Sequence, residues 1–169
     1  MRRNLLTLLL GVMAEIRPAQ ISDLDVVVSW LRNDSDCAFW AGPRLSFPVN
    51  LAVLPESIDW EQSESWSVTL GEDVIGFGQL VAKPRRRFHL ARLIASPQYR
   101  RKGIGRLLAE HLVKMALSKA PSALSLYVSP DNRPALNLYL ALGFSVSTQP
   151  PENQASELLY MEHDTSLHI

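Results

Sequence analysis

Residues 104, 107, 108, 112 and 115 (Ile, Leu, Leu, Leu, Met) recur at helical spacing and predict a helix over about 103–119 with one apolar face. The apolar run 88–95 before it predicts a central strand, so strand, turn and helix follow directly. Upstream, 65–70 and 74–83 read as a hairpin around Gly71-Glu72-Asp73, and Arg85-Arg86-Arg87 marks the next turn. Residues 16–19 form the expected first strand. Ser22 is the expected cap of a helix reaching about Arg32, with Asp25 three positions on. Residues 34–50, rich in Trp, Phe and Pro, are expected to be irregular or briefly helical. Strands follow at 124–128, 144–148 and 157–162. Between the first two, Asn132 is a good N-cap, Pro134 suits a first turn, and Ala135, Leu138, Tyr139 and Leu142 share a face that Gly143 ends. Hairpins and crossover helices in this order give an α/β fold with a mixed, mostly antiparallel sheet and flanking helices.

Composition narrows the function. At 169 residues, 47% apolar and 20% charged, the chain is long enough for one substantial core and is not of disordered composition. Seventeen basic residues balance seventeen acidic ones, which argues against a nucleic-acid partner held by bulk charge. Cys37 is the single cysteine, so no intramolecular disulfide forms and a reducing, cytoplasmic setting is expected. Four scattered histidines give no metal-ligand spacing, and no metal is expected. Met1-Arg2-Arg3 and the apolar stretch after them look like a charged and an apolar leader region, but the stretch is about half the ~20 residues a bilayer needs. Residues 1–13 are therefore read as an N-terminal extension, in preference to a secretion signal, ahead of one domain at 14–165. No membrane partner is expected.

The chemistry concentrates where the central strand meets the long helix. Arg100, Arg101, Lys102, Gly103, Ile104, Gly105 and Arg106 put cations and glycines at a helix N-terminus, where backbone N–H groups can approach a phosphate or diphosphate. A P-loop needs Gly-Lys-Ser/Thr, which is absent, and a dinucleotide fingerprint needs a third glycine where Leu108 stands. What remains is Arg100-x-x-Gly103-x-Gly105. Thirty residues on, 132–144 reads N-x-x-A-x-x-L-Y-x-x-x-G-F at every specified position. The two motifs, in this order and spacing, resemble the signatures of the GNAT superfamily of N-acyltransferases over roughly residues 14–162.

The resemblance implies a splayed strand pair, around 90–95 and 124–128, that admits acetyl-CoA as co-substrate. It implies main-chain pairing of the pantetheine arm near Leu93, Ile94 and Ala95, and a diphosphate on the amides of 101–106, with Asn132 a further cofactor contact. Arg101 stands where Gly is common in the family. Tyr139 matches the usual general acid; a phenol of pKa near ~10 is protonated at neutral pH and can serve the departing thiolate. The usual positions of a carboxylate base hold Ala91 and Tyr127 here, leaving His89 and Arg92 as nearby alternatives. Without such a base an α-amine, pKa near ~8, is easier to acetylate than a lysine at ~10.4, so the expected acceptor is an α-amine of a peptide or protein, or a small-molecule amine. Trp40, Arg44 and Phe47 are candidate acceptor contacts, or packing residues of an irregular segment. The protein is expected to be a monomer or homodimer. The alternative to an enzyme is a non-catalytic acyl-CoA sensor.

Overall fold

The computed structural model describes residues 13–150 and 157–166. Its framework is one seven-stranded sheet: β1 (Ala14–Pro18), β2 (Ser63–Leu70), β3 (Asp73–Lys83), β4 (Arg87–Ala95), β5 (Ala123–Val128), β6 (Phe144–Val146) and β7 (Leu159–His163), in the order β1-β2-β3-β4-β5-β7-β6. Only β4 and β5 run parallel, and the crossover between them carries the long helix. The mixed, mostly antiparallel sheet with flanking helices matches the expectation.

Among the described residues, five α-helices flank it: α1 (Asp23–Val28), α2 (Asp34–Ala41), α3 (Leu54–Ser57), α4 (Ile104–Ser118) and α5 (Arg133–Ala141). The first core lies under α4 and α5 and is almost wholly aliphatic, including Leu80, Leu90, Leu108, Leu112, Leu124, Leu126 and Met161. Helix α4 buries Ile104, Leu108, Ala109, Leu112, Val113 and Ala116, while Leu107 and Met115 of the expected stripe are only half-buried. The contact face is thus turned toward small residues, and the strand beneath it is small too. A Cβ on Gly76 would come within 2.8 Å of Ile104 Cγ2, and one on Gly78 within 3.0 Å of Leu108 Cδ2. Those two glycines let the helix lie close on β3.

The second core, on the opposite face, joins α1, α2 and α3 through Leu24, Val27, Trp30, Cys37, Trp40, Leu54, Ile58 and Phe77. Here the sequence reading needs correction. The first helix stops at Val28, and Ser22 does not cap it: its backbone is already helical and its hydroxyl caps nothing. Asp23 organises this end instead, accepting from both Arg17 Nη atoms (2.7 and 2.9 Å), the Gln20 N–H and the Ser67 hydroxyl. Burial disfavours the Asp23 carboxylate, but those donors hold its pKa below the usual carboxylate range. Within 34–50 a helix does form, because Asn33 accepts from the Asp36 N–H at 2.8 Å as its N-cap. Helix α3 and the 3-10 turn Trp60–Gln62 had no counterpart in the sequence reading. The expected extension at 1–13 lies outside the described residues except for exposed Met13.

Candidate active site

Strands β4 and β5 begin as partners and then part. Arg87, Phe88, His89 and Leu90 pair with Ala123, Leu124, Ser125 and Leu126, and the pairing ends there. From Ala91 to Ala95, β4 remains held by β3 alone. This is the expected splay. It leaves the β5-facing edge of Leu93, Ile94 and Ala95 without a strand partner among the described residues, an edge an extended ligand can pair with.

A bulge sits in the same segment. Phe77 pairs with Ile94 but Gln79 with Ala91, so β4 carries one residue more than β3. Arg92 takes the strain in the left-handed region, at φ 57°. The Trp40 indole N–H donates to the Arg92 carbonyl at 2.8 Å, locking the bulge to α2 across fifty-two residues of sequence.

Past β4, the chain makes a 3-10 turn at Pro97–Tyr99 and swings into α4. Arg101 at φ 59° and Gly103 at φ 89° form the turn, and Gly103 stands at the N-cap with no side chain to occupy the first-turn donors. A Cβ on Gly105 would meet nothing within 4 Å, so the space over the helix start is open. Arg100, Arg101 and Arg106 are exposed around it. Two cations have local partners: Lys102 Nζ lies 5.0 Å from the Tyr99 ring centroid and Arg106 meets Glu110 at 3.2 Å. Open helix N–H groups, glycines and basic side chains converge there, a geometry suited to a diphosphate.

On the far side of the splay, Asn132 caps α5, its Oδ1 accepting from the Ala135 N–H at 3.3 Å. Gly143 at φ 91° ends that helix as expected. Tyr139 is 8% exposed, packs edge-on against Phe144 and makes no hydrogen bond through its hydroxyl to another described residue. Burial pushes its pKa up to about 12. The group is therefore a protonated donor whose hydrogen bond is still available.

The acceptor candidates fall in different settings. Trp40 is buried in the second core, edge-on to Phe77. Phe47 is exposed and its N–H is held by Asp34 at 2.7 Å. Arg44, at the rim, forks onto Asp59 at 2.9 and 3.3 Å. Arg92 reaches the same carboxylate at 3.3 Å and donates to Gln79 Oε1 at 2.8 Å. Asp59 and Gln79 carried no motif, since they meet Arg92 only through the bulge. Burial lowers the Arg92 pKa and Asp59 counters it, but a guanidinium has no lone pair to accept a proton, so Arg92 is not the base. His89 Nδ1 lies 2.9 Å from the Ser125 hydroxyl, and its ring is 5.3 Å from Tyr127. Desolvation, with the charges of Lys83, Arg92 and Arg87, depresses its pKa to about 3, leaving it neutral but weakly basic. Ala91 and Tyr127 put no carboxylate at the splay. Among the described residues, no group of three or more His, Cys, Asp or Glu side chains could hold a metal, and no helix is long and apolar enough to cross a membrane.

Residues 28–144 match the model of the Acetyltransferase (GNAT) family. The chain belongs to the GNAT acetyltransferase family. Over 59 residues it is 37% identical to a ribosomal protein bS18-alanine N-acetyltransferase of Escherichia coli strain K12; that match spans 35% of this chain and 40% of the relative's length. Its fold is similar to the PaiA N-acetyltransferase of Thermoplasma acidophilum in complex with coenzyme A (TM-score 0.64, 23% identity, 89% of this chain and 98% of that one). It is similar too to a Vibrio cholerae spermidine N-acetyltransferase in complex with CoA and spermine (TM-score 0.69, 17% identity, 89% and 94%). At these identities the likeness is one of fold, and the GNAT fold accounts for the splay, the glycine turn and the tyrosine-bearing helix together.

Proposed function

We propose that this GNAT protein transfers an acetyl group from acetyl-CoA to a primary amine by direct attack. The parting of β4 and β5 after Leu90 and Leu126 carries the reading, because it opens a slot between the helix α4 N-terminus and the Tyr139 helix. The pantetheine amides pair with the main chain of Leu93, Ile94 and Ala95. The diphosphate rests on amides at 101–106 with Arg100, Arg101, Lys102 and Arg106 around it, and Asn132 borders the cofactor. The amine nitrogen attacks the thioester carbonyl, the C–S bond breaks, and the thiolate takes the Tyr139 proton; the amine loses its proton to water, and water returns one to the Tyr139 oxygen. With no carboxylate at Ala91 or Tyr127, the amine must arrive neutral. About a quarter of an α-amine of pKa ~8 is neutral near pH 7.5, against about 0.1% of a lysine at ~10.4, so an α-amine or a small amine of similar pKa is the acceptor. No metal takes part, and the protein works in the cytoplasm as a monomer or homodimer.

The missing carboxylate also favours a second reading, an acyl-CoA sensor without turnover. A panel of amines incubated with acetyl-CoA and scored by free thiol separates the two. Thiol release on an α-amine is the expected outcome; saturable acetyl-CoA binding with no release on any amine would establish the sensor.

A further inference from the structure

The face of the sheet that an incoming amine meets is cationic, and its cations are not matched one for one. The diphosphate turn and α4 lie on one side of the splay, so the amine approaches from the side of α1, α2 and α3. There the first charged group beside the parting strands is Arg92. Its side chain is only 9% exposed, and its Nε is buried with no hydrogen-bond partner among the described residues. One carboxylate, Asp59, serves two guanidiniums: Arg44 at 2.9 Å and Arg92 at 3.3 Å. Asp59 is itself held in the left-handed region, at φ 51°, facing the strained Arg92. Two non-glycine residues in that region store strain to bring a shared anion onto a buried cation. The positive field extends from the paired ends of β3 and β4 along β4, since Lys83, Arg87 and Arg92 all act on His89. Glu162 of β7 is engaged by the Tyr160 hydroxyl at 3.1 Å and the Ser147 hydroxyl at 2.9 Å, and Asp23 by Arg17 and Ser67.

A buried guanidinium that shares its only counter-ion is costly unless something completes the charge balance. We infer that the acceptor supplies it: the site selects an α-amine that carries a carboxylate close by, seated against Arg92 and Arg44. This rests on the transferase reading and names its substrate class. A polycationic amine would meet repulsion at the same place. The carboxylate comes from an acidic residue following the N-terminal residue of a peptide; a free amino acid also carries an anion close by, but that carboxylate raises its α-amine well above the ~8 of a peptide N-terminus.

The test compares Ala-Asp-Phe-amide, Ala-Lys-Phe-amide, free alanine and spermidine as acceptors, and measures binding of the two peptides to the CoA complex by calorimetry. The acidic peptide should exceed the lysine peptide, spermidine and free alanine by about tenfold or more in kcat/KM, the scale of one charge-assisted contact. The acidic peptide should also bind the CoA complex more tightly than the lysine peptide. Equal or reversed preference would overturn the inference. Arg44→Gln, at an exposed position, and Arg92→Gln, checked for folding by its CoA affinity, should shrink the acidic-to-basic ratio; an unchanged ratio in both would also overturn it. If nothing is acetylated while acetyl-CoA binds, the transferase reading falls, and the calorimetric preference still decides whether an anion is recognised.

Discussion

The two faces of the central sheet are built by different means. Under α4 and α5 the contacts are aliphatic and regular: a helix with one apolar stripe lies on strands whose inward residues are Leu, Gly and Met. Under α1, α2 and α3 the sheet presents Ser65, Ser67, Gln79, Arg92 and His89, held by a bulge, a shared carboxylate and a tryptophan N–H. The first face is a platform that sets the helix start and Tyr139 in place, with Trp66 Nε1 and His111 Nε2 among its buried polar atoms that find no partner among the described residues. The second can recognise, because it gathers Arg92, Asp59 and Gln79 into one hydrogen-bonded cluster of charged and amide side chains. On the proposed function, donor binding falls to the face where packing fixes geometry, and acceptor choice to the face where electrostatics does.

The largest break in that division should come from Tyr139→Phe. Removing one hydroxyl leaves the ring against Phe144 and the aliphatic core intact. If the hydroxyl supplies the proton to the thiolate, turnover should fall by ~10²-fold or more, the scale of a positioned acid. Acetyl-CoA affinity should hardly change. Steady-state rates with a slow amine, for which chemistry limits, check this; wild-type turnover would make Tyr139 a packing residue and leave the thiolate to solvent.

A smaller effect should follow from Gly76→Ala, which attacks the platform. The new methyl would lie 2.8 Å from Ile104 Cγ2 and 3.3 Å from Val68, so Ile104, the first residue of α4, must move. Overpacking of this kind costs about 1–3 kcal/mol. Because the displaced residue belongs to the diphosphate turn, CoA affinity should fall with stability, whereas the ratio between acidic and basic acceptors should hold. Urea midpoints and a CoA titration on one preparation give both readouts; a shifted acceptor ratio with normal CoA affinity would mean the faces are not separable.

The same contrast explains what the chain disclosed in advance. The platform was legible because its signals are local: the spacing of residues 104, 108 and 112, the left-handed Gly103, and Asn132 with Pro134 at the start of α5. Even there the stripe was slightly misplaced, because Ala109, Val113 and Ala116 reach the tightest contacts while Leu107 and Met115 lean outward. The face under α1, α2 and α3 was legible only in part, Arg44 and Arg92 being named without the carboxylate they share, for a physical reason. Asp59 meets Arg92 thirty-three residues away only because β4 carries an extra residue, and no periodicity announces a bulge. Ser22 looked like a cap, yet Asp23 took the organising role once Arg17 and Ser67 came within reach from neighbouring strands. Trp40 gave a plausible acceptor contact by composition; its indole N–H is committed to the Arg92 carbonyl.

The smallest expected effect sharpens the electrostatic half of the comparison. His89 faces Lys83, Arg87 and Arg92, with Tyr127 beside its ring and the Ser125 hydroxyl on Nδ1. Desolvation first, then those three charges, hold its pKa at about 3 against 6.5 for an unperturbed histidine. The folded protein therefore keeps His89 neutral where the unfolded chain binds a proton. A depressed pKa contributes stability above the unfolded value, and that stability is lost as pH falls from about 6.5 toward 3. One group can set a slope of at most about 1.4 kcal/mol per pH unit, and the ring's partial solvent contact reduces it. His89→Gln retains a hydrogen-bonding side chain for Ser125 but cannot titrate, so its stability should fall less steeply between pH 6.5 and 4.5. Urea midpoints at pH 7.5, 6.5, 5.5 and 4.5 make the comparison, with Asp23 and Asp59 contributing their own acid losses equally to both proteins. Parallel curves would show that His89 reaches solvent freely and that the cationic stretch of β4 is screened, which would also weaken the case for an acidic acceptor.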